Sequence, residues 1–254
     1  MGTQIAMRQI AKAWLILFFL AAVVSIRFEN QIEAHSLSQT LTFARDAFGR
    51  NCFSLVLVGC FESMCAILPV GFLCLGLSFL AALFISSAPK KTEFLQRLIL
   101  DALSSLPGFL IALALSVFFP NQEATLFLAS FFIIFPWLTR FLESQIYSFK
   151  QKEFILASHA LGATQVKIFR THLLPELVQI IFAILPYLAT RLLLLETSLS
   201  FLGLGKISDH ETWGRLIYQG RDYLTEAPWI LTIAGIPLCI TLFSLHLITR
   251  DDRL

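Results

Sequence analysis

The sequence predicts an all-α, polytopic membrane protein with about six transmembrane helices, and three observations carry that prediction. Hydrophobic residues make up 57% of the chain, charged residues only 14%, and the mean hydropathy is +0.76. That balance lies outside the range of soluble domains. Apolar runs of roughly 18 residues recur, each long enough to cross a hydrocarbon core of about 30 Å as a helix. The helix is also the element that satisfies its own backbone donors and acceptors in lipid. Finally, the basic residues between the runs are divided unevenly, as topology requires.

The first run spans about Trp14 to Ile26, with Arg8 and Lys12 before it and Arg27 after. It reads as an uncleaved signal anchor, because the small-residue cleavage pattern is weak and the rest of the chain is itself apolar. The second lies within Asn51 to Ile85. Its roughly 35 residues exceed one crossing, so the stretch before Glu62 is expected at the outer surface. The third runs from about Leu98 to Phe119, the fourth from Ala124 to Leu142, the fifth from Leu174 to Leu199 and the sixth from Trp229 to Thr249. Pro69, Pro107, Pro136, Pro186 and Pro237 fall inside these spans and predict kinks. The chain divides into an N-terminal helix with an extracytoplasmic segment (1–50) and a membrane domain (51–254).

With the N-terminus in the cytoplasm, twelve basic residues fall on the inner side, from Arg8 and Lys12 to Arg250 and Arg253. Six fall outside: Arg27, Arg45, Arg50, Lys206, Arg215 and Arg221. This asymmetry places both termini and the Lys150 to Pro175 loop in the cytoplasm.

Several function classes are excluded. The basic residues follow topology and form no stripe with interleaved aromatics, which argues against nucleic acid. Cys52, Cys60, Cys65, Cys74 and Cys239 lack metal-ligand spacing and read as small buried hydrophobes. The five histidines are scattered, and no metal site or cofactor motif is apparent. Gly203-Leu204-Gly205-Lys206 has the wrong spacing for a phosphate loop, so the chain is not expected to bind or hydrolyse ATP by itself.

The polar insert from Glu153 to Pro175 is the most informative stretch. Phe154, Ala157, Ser158 and Leu161 fall at i, i+3, i+4 and i+7, giving a short helix with one small, apolar face that Gly162 ends. A second short helix follows from about Thr164 to Arg170, and Pro175 starts the fifth crossing. Ala157, Ser158 and Ala160 would let another protein's groove approach closely. The alternative is an amphipathic helix lying on lipid headgroups.

The insert resembles the EAA loop of bacterial ABC-importer permeases: Glu-Ala-Ala, three residues, Gly, a spacer and Leu-Pro. Here it reads Leu156-Ala157-Ser158, three residues, Gly162, and later Leu174-Pro175. Phe48-Gly49-Arg50-Asn51 with Phe53-Ser54 and Gly59 is similar to the motif that opens the second crossing in the dipeptide, oligopeptide and nickel permeases. Ser198 to Gly205 resembles their SLSFLGLG signature. Trp213-Gly214, Gly220 to Tyr223 and Ala227 to Trp229 resemble their outer loop. The resemblance runs from about Thr42 to the C-terminus, and the lone N-terminal crossing matches the second of the two permease subunits.

The resemblance implies a non-enzymatic permease subunit of an importer in the bacterial cytoplasmic (inner) membrane. Its partners would be a second homologous permease, two cytoplasmic ABC ATPases and an extracytoplasmic solute-binding protein, with a peptide as solute or, alternatively, nickel or another small solute. The ATPase-docking loop would comprise Glu153, Phe154, Leu156, Ala157, Ser158, Leu161, Gly162 and Pro175, and the outer-loop motif Gly203, Gly205, Trp213 and Gly214. The family's loop glutamate is Leu156 here and its second alanine Ser158, with Glu153 the nearest acid. Phe61 and Glu143 stand where the family carries arginines.

Ionisable groups near or inside the spans are Glu62, Asp101, Arg140, Arg191 and Glu196, and at depth such groups point to a cavity or a partner. Glu196, with Ser200, either faces the translocation path or packs with Arg191 or a neighbouring subunit. Asp101 is expected to be solvated at the interface or paired with Arg97 at i+4 spacing. Gly203 and Gly205 provide a backbone turn over the outer mouth or a simple helix stop, and Trp213 and Trp229 read as headgroup-level anchors. Rival classes are a membrane-embedded enzyme, a stand-alone channel and an orphan subunit that assembles without coupling.

Overall fold

The computed structural model describes residues 2–26, 44–46, 48–105, 107–119, 122–203 and 211–249. Within them lie α1 (Gly2–Ile26), α2 (Cys52–Ser87), α3 (Lys90–Ser105), α4 (Gly108–Phe118) and α5 (Gln122–Lys150). After these come α6 (Glu153–Ala160), α7 (Gln165–Ile168), a π-helical turn (Phe169–Leu173), α8 (Leu174–Phe201), α9 (Trp213–Arg221) and α10 (Pro228–Thr249).

Four helical stretches are long and apolar enough to cross a membrane: Cys52–Ser87, Ala124–Lys150, Gln165–Phe201 and Pro228–Thr249. The pair Phe94–Ser105 and Gly108–Phe118, bent by 79°, adds a fifth when taken as one span, and α1 contributes the shorter apolar stretch Gln9–Val24. Each predicted crossing thus has a helical counterpart, and the architecture is all-α and polytopic.

Three details add to the sequence expectation. The stretch before Glu62 forms the opening turns of α2, one helix of 36 residues. At about 1.5 Å per residue it is longer than the bilayer core. The predicted third crossing is broken into α3 and α4 at Pro107. Proline has no amide to give and disfavours helical geometry in the residue before it. The helix that carries the fifth crossing starts at Gln165, well before Pro175, because α7 runs through the π-helical turn into α8 without a break. The wider π turn lies just upstream of Pro175, which has no amide to donate to Thr171.

The chain divides into two compact units. One comprises Met1–Pro69, Ser116–Leu126 and Pro186–Leu254. In it α1 packs on α10, where the Trp14 indole donates to Thr241 Oγ1 at 3.3 Å, and Cys52, Ala227 and Ile230 form a core with Tyr223, Trp229 and Ile233 against it. The turn before α2 is held by Asp46, whose Oδ1 accepts the amides of Phe48 at 3.0 Å and Arg50 at 2.7 Å. Asn51 then caps the helix by accepting the Phe53 amide at 2.9 Å.

The other unit comprises Val70–Leu115 and Phe127–Leu185. Its core is the buried face of α5, with Leu138, Leu142 and Ile146, together with Ala82 and Ala112, all fully enclosed. Two ion pairs tie α3 to α5: Arg97 to Glu143 at 2.6 Å and Arg140 to Asp101. Asp101, whose side chain is 61% exposed, therefore meets a cation of the facing helix, where the sequence offered solvation at the interface or pairing with Arg97 of its own helix. Gly108 lets α4 approach α5 closely, since a Cβ there would sit 2.6 Å from Ile133 Cγ1.

Burial within the chain reaches 50% over the α5 span window but only 28% over those of α8 and α10. Large apolar faces are left for lipid or another subunit. Cys52, Cys60 and Cys74 are buried as expected, whereas Cys65 and Cys239 are exposed on such faces.

Candidate functional site

The insert between α5 and α8 folds as a braced protrusion. Glu153 lies in the first turn of α6, where a carboxylate favours the helix dipole. The helix ends with Gly162 at φ +83°, the left-handed geometry that glycine adopts without strain. The amide of Ala163 then donates back to the Ser158 carbonyl at 3.0 Å, as at a Schellman-type end. Thr164, extended at φ −72° and ψ 151°, caps α7 by accepting the Lys167 amide. These local signals fix the turn, which is why the sequence located it.

The base of the protrusion is anchored from several directions. Ile155 is buried. Phe154 packs edge-on against Phe149 at 5.7 Å and His172 at 5.6 Å. The Lys152 ammonium pairs with Glu176 in the first turn of α8 and lies 5.1 Å from the Phe149 ring centroid. Lys150 Nζ donates to the Ser86 carbonyl at the end of α2, at 2.6 Å. A groove of about 600 Å³ opens beside the base, lined by Leu83, Ser86, Ile146, Phe149, Ile155 and Val166 among others.

Most of the residues that the periodicity places on one face are turned outward. Leu161 is 88% exposed and Val166 62%, with Ala157 and Glu153 also exposed. Phe154 serves also as a half-exposed buttress, and the Ser158 hydroxyl is turned onto its own helix, donating to the Phe154 carbonyl at 2.7 Å. Ile155, the buried anchor, was not singled out in the sequence, and its position one residue after Phe154 gave no periodic signal. The side chains of Leu156 and Ala160 lie outside the described residues. Pro175 is exposed one residue into α8.

A second constellation lies where the end of α8 meets α9. Glu196 is 1% exposed and accepts hydrogen bonds from Ser200 at 2.9 Å and from Ser63 and Thr197 at 3.4 Å. Thr212 is its fourth hydroxyl partner. Of the places the sequence leaves open for Glu196, facing the path or packing with Arg191 or a neighbouring subunit, the Arg191 side chain is engaged with Tyr187, lying over its ring at 5.1 Å and donating to its hydroxyl.

Gly203 ends α8 at φ +70°, and Gly205 lies outside the described residues. Trp213 is no headgroup anchor: it is fully buried, and its indole donates to the Val56 carbonyl at 2.9 Å. Trp229 is partly buried and donates to the Arg45 carbonyl at 3.1 Å.

Gly214 lies against α8 so tightly that a Cβ would stand 2.5 Å from Ser200 Cβ. Arg50 joins the junction from the turn before α2, bonding Asp46 at 2.7 Å and Glu211 at 2.8 Å. Burial opposes its charge, but Glu211 and Asp46 outweigh that and hold the Arg50 guanidinium above its ordinary pKa. Among the described residues, no group of three or more histidine, cysteine or carboxylate side chains could hold a metal ion.

The chain is 28% identical over 206 residues to a presumed peptide transport system permease protein of Brucella suis biovar 1, covering 81% of this chain and 69% of that protein. It is likewise 28% identical over 206 residues to the oligopeptide transport system permease protein OppC of Haemophilus influenzae, covering 81% and 66%. Among solved structures, a chain of the MetNI methionine ABC transporter in an inward-facing conformation has the same fold. The TM-score is 0.55 and the identity 19%, over 76% of this chain and 91% of that one. Residues 75–250 match the family described as the inner membrane component of binding-protein-dependent transport systems. With the α5–α8 protrusion and the α8–α9 junction inside that matched region, the chain belongs to this family of membrane permease components.

Proposed function

We propose that the chain is one of two permease subunits of an importer that carries di- or oligopeptides across the bacterial cytoplasmic membrane, driven by separate ATPase subunits. The observation that carries this reading is the α6 protrusion. It offers an exposed apolar tip at Leu161 and Val166, while its base is fastened to α2, α5 and α8. A braced projection of this kind transmits a push to the crossings, which a loose tether would not. The push has direction only if the ATPase pair binds the loop differently in its open and closed states, since equal affinity shifts no equilibrium.

In this proposal both termini and the protrusion are cytoplasmic, as the division of basic residues suggests. A solute-binding protein delivers peptide on the opposite side, near the α8–α9 junction. Glu196 and Ser200, 1% and 8% exposed, belong to the wall of the path and bear on it through the elements they hold. The peptide substrate is supported by the names of the Brucella and Haemophilus relatives.

The test is uptake by proteoliposomes holding this chain, its partner permease and the ATPases. ATP-dependent accumulation of a labelled oligopeptide, requiring the binding protein, is expected. Entry up to equilibrium without ATP would indicate a channel, and uptake of nickel but not peptide would replace the substrate.

A further inference from the structure

We propose that Glu196 is a positioning residue: its buried carboxylate clasps α9 to α2 and α8, so that α9 travels with those two helices as one body. The clasp is built from groups on three elements. Ser63 comes from α2, Thr197 and Ser200 from α8, and Thr212 is the residue that caps α9. Ser63 Oγ also accepts the Trp213 amide at 3.2 Å. That amide is one of the orphan donors at the start of α9, so the helix is coupled to the carboxylate through one hydroxyl. Thr212 serves twice, accepting the Arg215 amide as the cap and meeting Glu196 with the same side chain.

A carboxylate enclosed among apolar side chains is costly unless its lone pairs are filled. The hydroxyls that fill them here reach Glu196 from three elements, so moving α9 away would strip donors from a group that water does not reach. The carboxylate also lies by the N-terminus of α9, where the helix dipole favours negative charge. Contacts around the clasp leave little slack. A Cβ on Gly59 would stand 2.9 Å from the Glu211 carbonyl oxygen, and one on Gly214 would stand 2.8 Å from the Thr197 carbonyl oxygen. Arg50 adds a second tie from the turn before α2 to Glu211.

The role of the clasp in transport rests on the importer reading above, but the clasp itself can be tested without it. Leu216 of α9 is 4% exposed. In detergent micelles, Leu216→Cys should react slowly with a polar maleimide, after subtracting the labelling of the parent chain. Adding Glu196→Ala should speed that labelling about tenfold or more, and Glu196→Gln, which keeps an acceptor and the shape, should stay within about threefold. Unchanged labelling in the alanine variant would overturn the clasp.

In the reconstituted complex, Glu196→Ala should lower peptide uptake about tenfold while the subunits still co-purify and ATP hydrolysis continues. Uptake at the wild-type level, or loss of assembly together with uptake, would overturn the positioning role. Absence of uptake in the wild-type complex would instead sink the importer reading and leave the labelling result to decide the clasp.

Discussion

Replacing Gly214 by alanine probes the closest approach of α9 to α8. The new Cβ would stand 2.5 Å from Ser200 Cβ, 2.8 Å from the Thr197 carbonyl oxygen and 2.9 Å from Thr197 Cα. Two of these atoms are backbone and the third is fixed to it, so no rotamer change relieves the contact. Restoring ordinary van der Waals separation requires the helices to part by roughly 1 Å. Overpacking of this kind costs about 1–3 kcal/mol, and the rigid neighbours place Gly214 at the upper end. Alanine's better helix propensity returns about 1 kcal/mol, leaving a net loss near 2 kcal/mol. For a chain of this size that lowers the midpoint by roughly 4–8 °C. Thermal loss of monodispersity in detergent reads the shift. Gly76→Ala and Gly235→Ala are the controls, because a Cβ at either meets nothing within 4 Å, and both should be neutral or slightly stabilising. A Gly214→Ala midpoint equal to those of the controls would refute the close packing of α9 on α8.

Further outcomes follow from other contacts. Arg50→Met removes the cation shared by Asp46 and Glu211, whose side chains are 5% and 12% exposed; Asp46 keeps its two backbone amides and Glu211 keeps Gln219 and Arg215, so the loss should be about 2 kcal/mol in the same thermal assay. Reversing Glu143 to Arg or Arg97 to Glu should each destabilise, and the double reversal should recover about 1 kcal/mol of coupling in a double-mutant cycle, modest because Arg97 is half exposed. Thr164→Ala removes the α7 cap and should cost about 1 kcal/mol locally, seen as faster proteolytic cleavage of the α6–α7 turn. Leu161→Glu, at a position 88% exposed, should leave the midpoint within about 1 °C of wild type, yet weaken ATPase co-purification.

Hydropathy made the crossings legible because apolar length is a local property, and the α6 turn was legible because Gly162 and Thr164 signal it within a few residues. What escaped depends on partners distant in sequence. Asp101 and Arg97 sit at the spacing of a helical pair, yet Arg140 and Glu143 of α5 also pair with them, which only the packing of α3 on α5 could bring about. Trp213 has the composition of an interfacial anchor and is buried because α9 folds against Val56 and Ser63. The donors to Glu196 lie as far away as Ser63, 133 positions earlier in the chain, so no spacing rule could have joined them. The continuity of α7 with α8 was hidden by Pro175, which ordinarily marks a helix start but here follows a π turn.

The central claim is that the α6 protrusion docks an ATPase, and a pull-down of tagged protein from detergent-solubilised membranes tests it most directly. Wild type should bring down an ATPase subunit and a second permease. The Gly162→Pro, Ala157→Arg double variant should reach the membrane at the same level and lose the ATPase. An ATPase retained by the double variant, or absent from both samples, would contradict the account.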